Sequence, residues 1–257
     1  MISSTSNTLI KNLNALKTKS KARKEQKVFL VEGMKMFEEI PENDIKDVYV
    51  SESFLNEFGD EKIRKKDYTV LSDKVFNTVS DTVTPQGILA IVKQKETTFN
   101  DIMKNDTGTR EKCFLIIDDI RDPGNLGTII RTAEGAGVSG VIISRESVDI
   151  FSPKVIRSTM GSIFRVPFLY ADDLNSIIKE LKSQNISVYA AHLQGEEISR
   201  NNPLETPAAF IIGNEARGVR EDLISQADKL IRIPMRGKVE SLNASVSAAI
   251  LMYSILL

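Results

Sequence analysis

Three polar segments hold the residues of this chain best suited to chemistry. The first, Asp122–Val138, reads D-P-G-N-L-G-T-I-I-R-T-A-E-G-A-G-V. Asn125 can cap a helix there, and Arg131 falls in that helix's second turn. Its i−4 and i−3 neighbours are Gly127 and Thr128, so little bulk crowds it on that face. An arginine so placed can clamp a phosphate through two parallel hydrogen bonds; taken alone, it is equally a surface arginine on an amphipathic helix. The second segment sets Asn214, Glu215 and Arg217 between Gly213 and Gly218. Glycines on both sides let the backbone turn sharply and approach a ligand closely. Glu215 and Arg217 can also pair with each other, a purely structural use. The third segment runs from Ile231 through a charged loop at Gly237 to Ser241, Leu242 and Asn243, then into 16 residues with no formal charge, 242–257. Ser241 reads as the N-cap, with Leu242 and Asn243 in the first turn. Ala244, Ser245, Ser247, Ala248 and Ala249 would let that helix pack closely against another helix or a second copy.

Other chemistries are poorly provided for. The one histidine, His192, rules out a multi-histidine metal site and disfavours a Ser-His-Asp arrangement. It follows the expected strand 187–191 and reads as structural or solvent-facing. The one cysteine, Cys113, cannot form an intramolecular disulfide and begins the apolar run C-F-L-I-I, so it reads as a buried strand residue. Gly135-Ala136-Gly137-Val138-Ser139-Gly140 matches G-x-G-x-x-G, but it closes a helix and precedes a strand. A dinucleotide site needs the reverse, so these glycines read as a helix C-cap and turn.

Alternating strands and helices must position the three segments. From residue 114 onward, apolar strands at 114–118, 141–144, 187–191, 209–212 and 231–233 alternate with helical stretches. They are continuous runs, the pattern of strands buried on both faces of a parallel sheet. Ligands of such α/β sheets lie at the carboxyl ends of the strands, where all three segments fall. Before residue 93, strands at 28–33, 47–51, 68–71 and 88–92 with short helices at 34–40 and 72–78 make a smaller α/β unit. The polar stretch between reads as a linker, with Phe99, Ile102 and Met103 as candidate anchors for part of it, giving domains 1–95 and 113–257 joined by 96–112.

The near-neutral net charge of −1 hides an asymmetry. Residues 1–30 carry seven basic side chains against Glu25 alone, a net of +6, which leaves −7 on the rest. Lys11, Lys17 and Arg23 represent an arm suited to a polyanion. Leu9, Leu13 and Leu16 at helical spacing argue for an ordered helix rather than a tail. The uncharged run at the end is shorter than the ~20 residues of a membrane span and contains Asn243 and three serines, so no membrane association is expected. The lack of an apolar leader and the lone cysteine suit a cytoplasmic setting.

Residues Asn125-Leu126-Gly127 to Arg131-Thr132-Ala133, Ile212-Gly213-Asn214-Glu215 to Arg217-Gly218, and Ile233-Pro234-Met235 to Ser241-Leu242-Asn243 occur in order. With Ser245 and Ala248-Ala249, this set resembles the signatures of the SpoU (TrmH) family of RNA ribose 2′-O-methyltransferases, of the SPOUT class, over about 113–257. Glu32-Gly33 and Thr84-Pro85-Gln86-Gly87 resemble that family's substrate-binding domain, which is similar to ribosomal protein L30e. The subgroup that looks most similar comprises rRNA methyltransferases such as the thiostrepton-resistance enzymes.

The resemblance implies a trefoil knot, a homodimer through the C-terminal domain and S-adenosylmethionine as cofactor. Carried over, Gly213, Ile233 and Leu242 would contact the cofactor, with Ser241 nearby. Arg131 would be central to transfer, oriented with the ribose by Asn125, Glu215 and Asn243. Arginine stays protonated, so a phosphate clamp and alkoxide stabiliser suits it better than a general base. The proton acceptor is left open among an RNA phosphate, water and an unusually perturbed arginine. The expected substrate is ribosomal RNA, with transfer RNA second. A non-catalytic RNA-binding or assembly factor on the same fold is the alternative from another class. A cytosine C5 enzyme would need a cysteine nucleophile, and Cys113 lies outside the three signatures.

Overall fold

The computed structural model describes residues 1–63, 67–105, 108, 112–199 and 203–255. In chain order the elements are α1 (Thr8–Thr18), α2 (Ser20–Gln26), β1 (Val28–Glu32), α3 (Met34–Glu39), β2 (Ile45–Ser51), α4 (Glu52–Phe58), β3 (Thr69–Leu71), α5 (Asp73–Val79), β4 (Ile88–Lys93) and α6 (Phe99–Lys104). There follow β5 (Cys113–Ile117), α7 (Pro123–Gly135), β6 (Gly140–Ser144), α8 (Pro153–Thr159), β7 (Phe168–Ala171), α9 (Leu174–Ser183), β8 (Ser187–Glu197), β9 (Ala208–Ile212), α10 (Glu221–Ile224), β10 (Lys229–Arg232) and α11 (Ala244–Ser254). They form two compact units: Met1–Lys95 with Asp149–Phe164, and Glu96–Val148 with Arg165–Leu257.

The smaller unit is built on a four-stranded sheet of order β1-β4-β2-β3. β4 runs antiparallel to both neighbours, and β3 is parallel to β2. Of the residues read at helical spacing in α1, Leu13 and Leu16 are fully buried in one core with Leu30, Leu71 and Phe76, while Leu9 is only partly buried and Ile10 takes the third buried position. Asn7 caps that helix by accepting from the Leu9 N–H at 2.8 Å. The segment 149–164, expected within the C-terminal domain, belongs to this unit instead. Phe151 lies with its ring centroid 4.9 Å from that of Phe29 on β1. A side chain on Gly161 would sit 2.8 Å from Glu39 Cγ, and its φ of +93° suits glycine.

The larger unit is a six-stranded, all-parallel sheet of order β10-β8-β9-β5-β6-β7. Every residue of β5, β6 and β9 is buried, which explains their unbroken apolar sequence. Ile116 alone, fully buried, would cost about 2–5 kcal/mol if cut to alanine. Two sequence readings change here. The expected linker contains α6, whose Ile102 is fully buried in the core of this unit. A Cβ on Gly140 would lie 2.2 Å from Ile102 Cγ2, so glycine lets the helix press onto β6. Residues 106, 107 and 109–111 of that linker, and 256–257 of the last apolar run, lie outside the described residues. The strand expected at 187–191 continues to Glu197, placing His192 inside β8. β10 pairs with both halves of it, Leu230 opposite Ala190 and Ile231 opposite Glu196. Gly195 makes that possible, since a Cβ there would meet the Ile231 nitrogen at 2.5 Å. No helix among the described residues is long and apolar enough to cross a membrane.

Candidate active site

The loops after β5 and β9 and the N-terminus of α11 meet through three side chains. Asn125 Nδ2 donates to Glu215 Oε1 at 2.7 Å. Asn243 Nδ2 donates to Asn125 Oδ1 at 2.9 Å. One residue from each of the three sequence segments therefore enters a single hydrogen-bonded chain, Asn243–Asn125–Glu215. Amide side chains suit this task because each donates and accepts at once, which fixes its orientation.

Two capping roles differ from those read in the sequence. Asp122, not Asn125, caps α7: its carboxylate accepts from the Asn125 N–H at 2.9 Å, and Pro123 takes the first helical position. That arrangement frees the Asn125 side chain for Glu215 and Asn243. Asn243, not Ser241, caps α11 by accepting from the Ser245 N–H at 2.9 Å and from Ser245 Oγ at 2.7 Å. The cap is thus bonded to the site through its other amide atom. Ser241 is exposed, and Leu242 and Ile233 are half-buried. Glu215 faces Asn125, and no ion pair joins it to Arg217 among the described residues.

The loop after β9 is shaped by Gly213 and Asn214. A Cβ on Gly213 would lie 2.1 Å from the Gly218 carbonyl carbon, so the backbone folds onto itself without room for any side chain. Asn214 and Gly218 exchange both backbone hydrogen bonds, at 3.0 and 2.8 Å. The Asn214 side chain accepts from the N–H groups of Ala216 and Arg217 and donates to the Asp119 carbonyl at 2.8 Å. This amide ties the second segment to the end of β5, a role that spacing did not assign. Asp118, almost fully buried beside it, accepts from the Arg220 N–H at 3.0 Å and lies 2.9 Å from Arg220 Nε. Burial raises its pKa above the ordinary value of 3.8, against the lowering effect of Arg220. The apolar run around Asp118 hid it in the sequence.

Arg131 lies on the same helix as Asn125, exposed, and pairs with no described residue. Gly127, four residues earlier, is buried, while Thr128 is exposed. The guanidinium is thus held on a rigid helix with its hydrogen-bonding capacity free, as an anion clamp requires. Gly213, Ile233, Ser241 and Leu242 occupy the ends of β9 and β10 and the loop before α11. Among the described residues, 233–242 make no backbone–backbone hydrogen bond. Free backbone donors and acceptors, a Gly213 turn without side chains and two half-buried aliphatic residues fit a ligand that combines an apolar ring with polar edges. Cys113 and His192 stay outside this site. The Cys113 thiol is pushed up to about 12 by burial, and His192 Nδ1 accepts from the Gln194 N–H at 3.2 Å.

The basic arm is only partly available to a partner. Arg23 is buried, holding Asp149 through Nε at 2.9 Å and Nη2 at 2.7 Å, and donating to the Leu16 carbonyl at 2.6 Å. Lys17 Nζ donates to the carbonyls of Thr78 and Ser80 at 2.7 and 3.0 Å. Both were expected at an RNA surface, and both are instead internal ties. Lys11, Lys19 and Lys24 are exposed and have no partner among the described residues.

The sequence matches the SpoU rRNA Methylase family over residues 112–253 and an MRM3-like substrate binding domain over 7–90. The chain belongs to the SpoU rRNA methylase family. It is an RNA 2′-O-methyltransferase, and S-adenosylmethionine is its methyl donor. It is 34% identical to the 23S rRNA (guanosine(2553)-2′-O)-methyltransferase RlmP of Bacillus subtilis, over 98% of this chain and 97% of that one. An AdoMet-bound rRNA methyltransferase from Sinorhizobium meliloti superposes with a TM-score of 0.84 at 31% identity, over 99% of this chain and 96% of that one. The SpoU methyltransferase AviRb of Streptomyces viridochromogenes, at 22% identity, shares the fold, with a TM-score of 0.85 over 97% of each chain.

Proposed function

We propose that this enzyme methylates a ribose 2′-hydroxyl in 23S ribosomal RNA. The full-length likeness to the Bacillus subtilis enzyme carries that choice, because it spans the substrate-binding domain as well as the catalytic one. The guanosine at position 2553 named for that relative is the first nucleotide to map.

When bound, S-adenosylmethionine supplies a methyl group already activated by a positive sulfur. The chain's own work is to align the hydroxyl and stabilise the negative charge that grows on its oxygen as the proton leaves to water or to an RNA phosphate. Arg131 clamps the RNA phosphate beside the reactive ribose and stabilises the developing negative charge. Asn243 and Glu215 fix both atoms of the Asn125 amide, so Asn125 presents one orientation to the ribose. Gly213, Ile233, Leu242 and Ser241 hold the cofactor mainly through backbone groups. The same reading includes a trefoil knot around that loop, a homodimer and a cytoplasmic setting. The dimer is supported by α11, whose Val246 and Tyr253 are 46% and 39% exposed on a helix without charged residues. The lone buried cysteine suits a reducing compartment.

The test is to incubate the purified protein with methyl-labelled S-adenosylmethionine and separate unmodified 23S rRNA, 16S rRNA and tRNA transcripts. Nucleoside analysis should return label in a 2′-O-methylnucleoside from the 23S pool alone. Label in tRNA only would overturn the substrate choice.

A further inference from the structure

We propose that Asp118 is a positioning residue for methyl transfer: paired with Arg220, it latches the loop 213–219 in the shape that receives S-adenosylmethionine. The proposal rests on reading Gly213 and Glu215 as parts of the active site. Asp118 directly follows β5 and is 1% exposed. A buried ion pair is a weak source of stability, because desolvation of the charges offsets their attraction, and an apolar residue of similar size would serve the core as well. The contacts of this carboxylate point to a different use.

Asp118 grips both ends of the loop. Its N–H donates to the Ile212 carbonyl, just before Gly213, at 2.9 Å. Its Oδ2 accepts from the Arg220 N–H, just past the loop, at 3.0 Å. Its Oδ1 is buried, accepts no hydrogen bond among the described residues and lies 2.9 Å from Arg220 Nε. The charge of Arg220 is therefore what compensates that oxygen. Asp119 adds a second grip, since its carbonyl accepts from Asn214 Nδ2 at 2.8 Å. The hub is itself anchored. The Asp119 N–H donates to Ser144 Oγ at 3.0 Å and the Ile120 N–H to Ser147 Oγ at 3.1 Å, and these two buried hydroxyls lie 3.0 Å apart. Residues 118–120 are thus fixed from the end of β6 and fix the loop after β9.

Few other contacts orient that loop. Asn214 bonds the Gly218 backbone and the Ala216 and Arg217 amides, all within the loop, and Glu215, Ala216 and Arg217 are exposed. Val219 is buried in the core, but apolar contact is non-directional. It sets the depth of the loop and leaves its orientation to the bonds from Asp118 and Asp119. Orientation matters here twice. It places the Gly213 turn, and it places Glu215, which reaches Asn125 at 2.7 Å. A loop already held in its bound shape removes an ordering cost from cofactor binding.

The experiment uses the full chain. S-adenosylmethionine affinity is read by calorimetry, and amide-resolved hydrogen exchange is read at Ala216 and Arg217, whose N–H groups bond Asn214 Oδ1. The wild type should show both amides slowed by the cofactor. Asp118→Asn keeps the shape and an acceptor for the Arg220 N–H but removes the charge. It should weaken cofactor binding about tenfold and, without cofactor, speed exchange of both amides by a similar factor. The kcat at saturating cofactor should fall less than the affinity, because the bound cofactor orders the loop again. Arg220→Ala, at a half-exposed position, should act in the same direction, which keeps the test open if Asp118→Asn does not fold. The double variant should lose no more than the worse single one. Leu181→Ala weakens the core of the same unit without touching the latch, and should leave cofactor affinity and both amides as in the wild type. Wild-type affinity and exchange in Asp118→Asn and Arg220→Ala would overturn the latch, and so would an equal loss in Leu181→Ala. Wild-type amides that the bound cofactor does not slow would instead overturn the reading of Gly213 and Glu215.

Discussion

The basic arm at the start of the chain and the amide network at the strand ends make opposite use of their side chains. The arm advertises itself by charge, yet Arg23 and Lys17 face inward and satisfy carbonyls and Asp149. The network is made of two asparagines and a glutamate with no conspicuous charge pattern, yet it joins three distant segments. Charge density measures what a segment could bind. Which charges remain free depends on the carbonyls and carboxylates that the fold brings near them, and a buried guanidinium must be paired.

The largest test of that contrast is Arg23→Ala, which removes a buried guanidinium and leaves the largely covered Asp149 carboxylate with only the Phe151 N–H among the described residues. It should cost about 3–5 kcal/mol by urea unfolding, with little change in the RNA affinity of the folded fraction. A loss of RNA affinity without loss of stability would return Arg23 to the binding surface. Arg131→Ala should do the reverse. Methyl transfer should fall about 100–1,000-fold, with cofactor affinity held within about twofold in calorimetry. Weakened cofactor binding would move Arg131 out of the phosphate role.

Smaller effects sharpen the picture. Asn243→Ala removes a helix cap and one link of the network together, and should lower stability by about 1 kcal/mol. Its turnover should fall more than that of Ser245→Ala, which keeps the bond to Asn125. Replacing Lys11, Lys19 and Lys24 by alanine should weaken RNA binding. The salt dependence of binding should flatten as well, by about one counterion for each phosphate that a lysine had neutralised. An unchanged salt slope would mean that the arm does not touch the RNA backbone. The smallest effect is at Asp118. Burial raises its pKa, so the folded chain holds that proton more readily than the unfolded chain. The stability it contributes is greatest at low pH and declines as pH rises from about 4 through the folded value. Denaturation of wild type and Asp118→Asn across pH 4–7 should show the wild type losing ground as pH rises. A difference that stays flat would mean that Asp118 is not perturbed.

Much of the fold was written in periodicity. Continuous apolar runs at 114–118 and 209–212 announced strands buried on both faces, each within one residue of the observed strand, and Leu9, Leu13 and Leu16 announced an ordered helix. The linker reading named Phe99, Ile102 and Met103 as anchors but not the helix that carries them, because three apolar residues among polar ones leave little periodicity; Gly140 leaves the space on β6 that Ile102 fills. The segment 149–164 could not be assigned to its unit from local pattern, since an aromatic at 151 does not say which sheet it will meet.

The sequence by itself determined the parallel-sheet class, the three polar segments and their order, and the family that their residues resemble. Local preferences were enough for this, because side-chain periodicity and glycine placement act over a few residues. Only the tertiary structure decided that the Asn125 amide would bond Glu215 and Asn243, that Asn243 would cap α11 while reaching it, and that Lys17 would brace a loop. The last two outcomes are competitions among hydrogen-bond partners far apart in the chain, Lys17 with Thr78 and Asn243 with Asn125. Such a competition is settled by which groups the fold leaves within about 3 Å, a distance that no local pattern encodes.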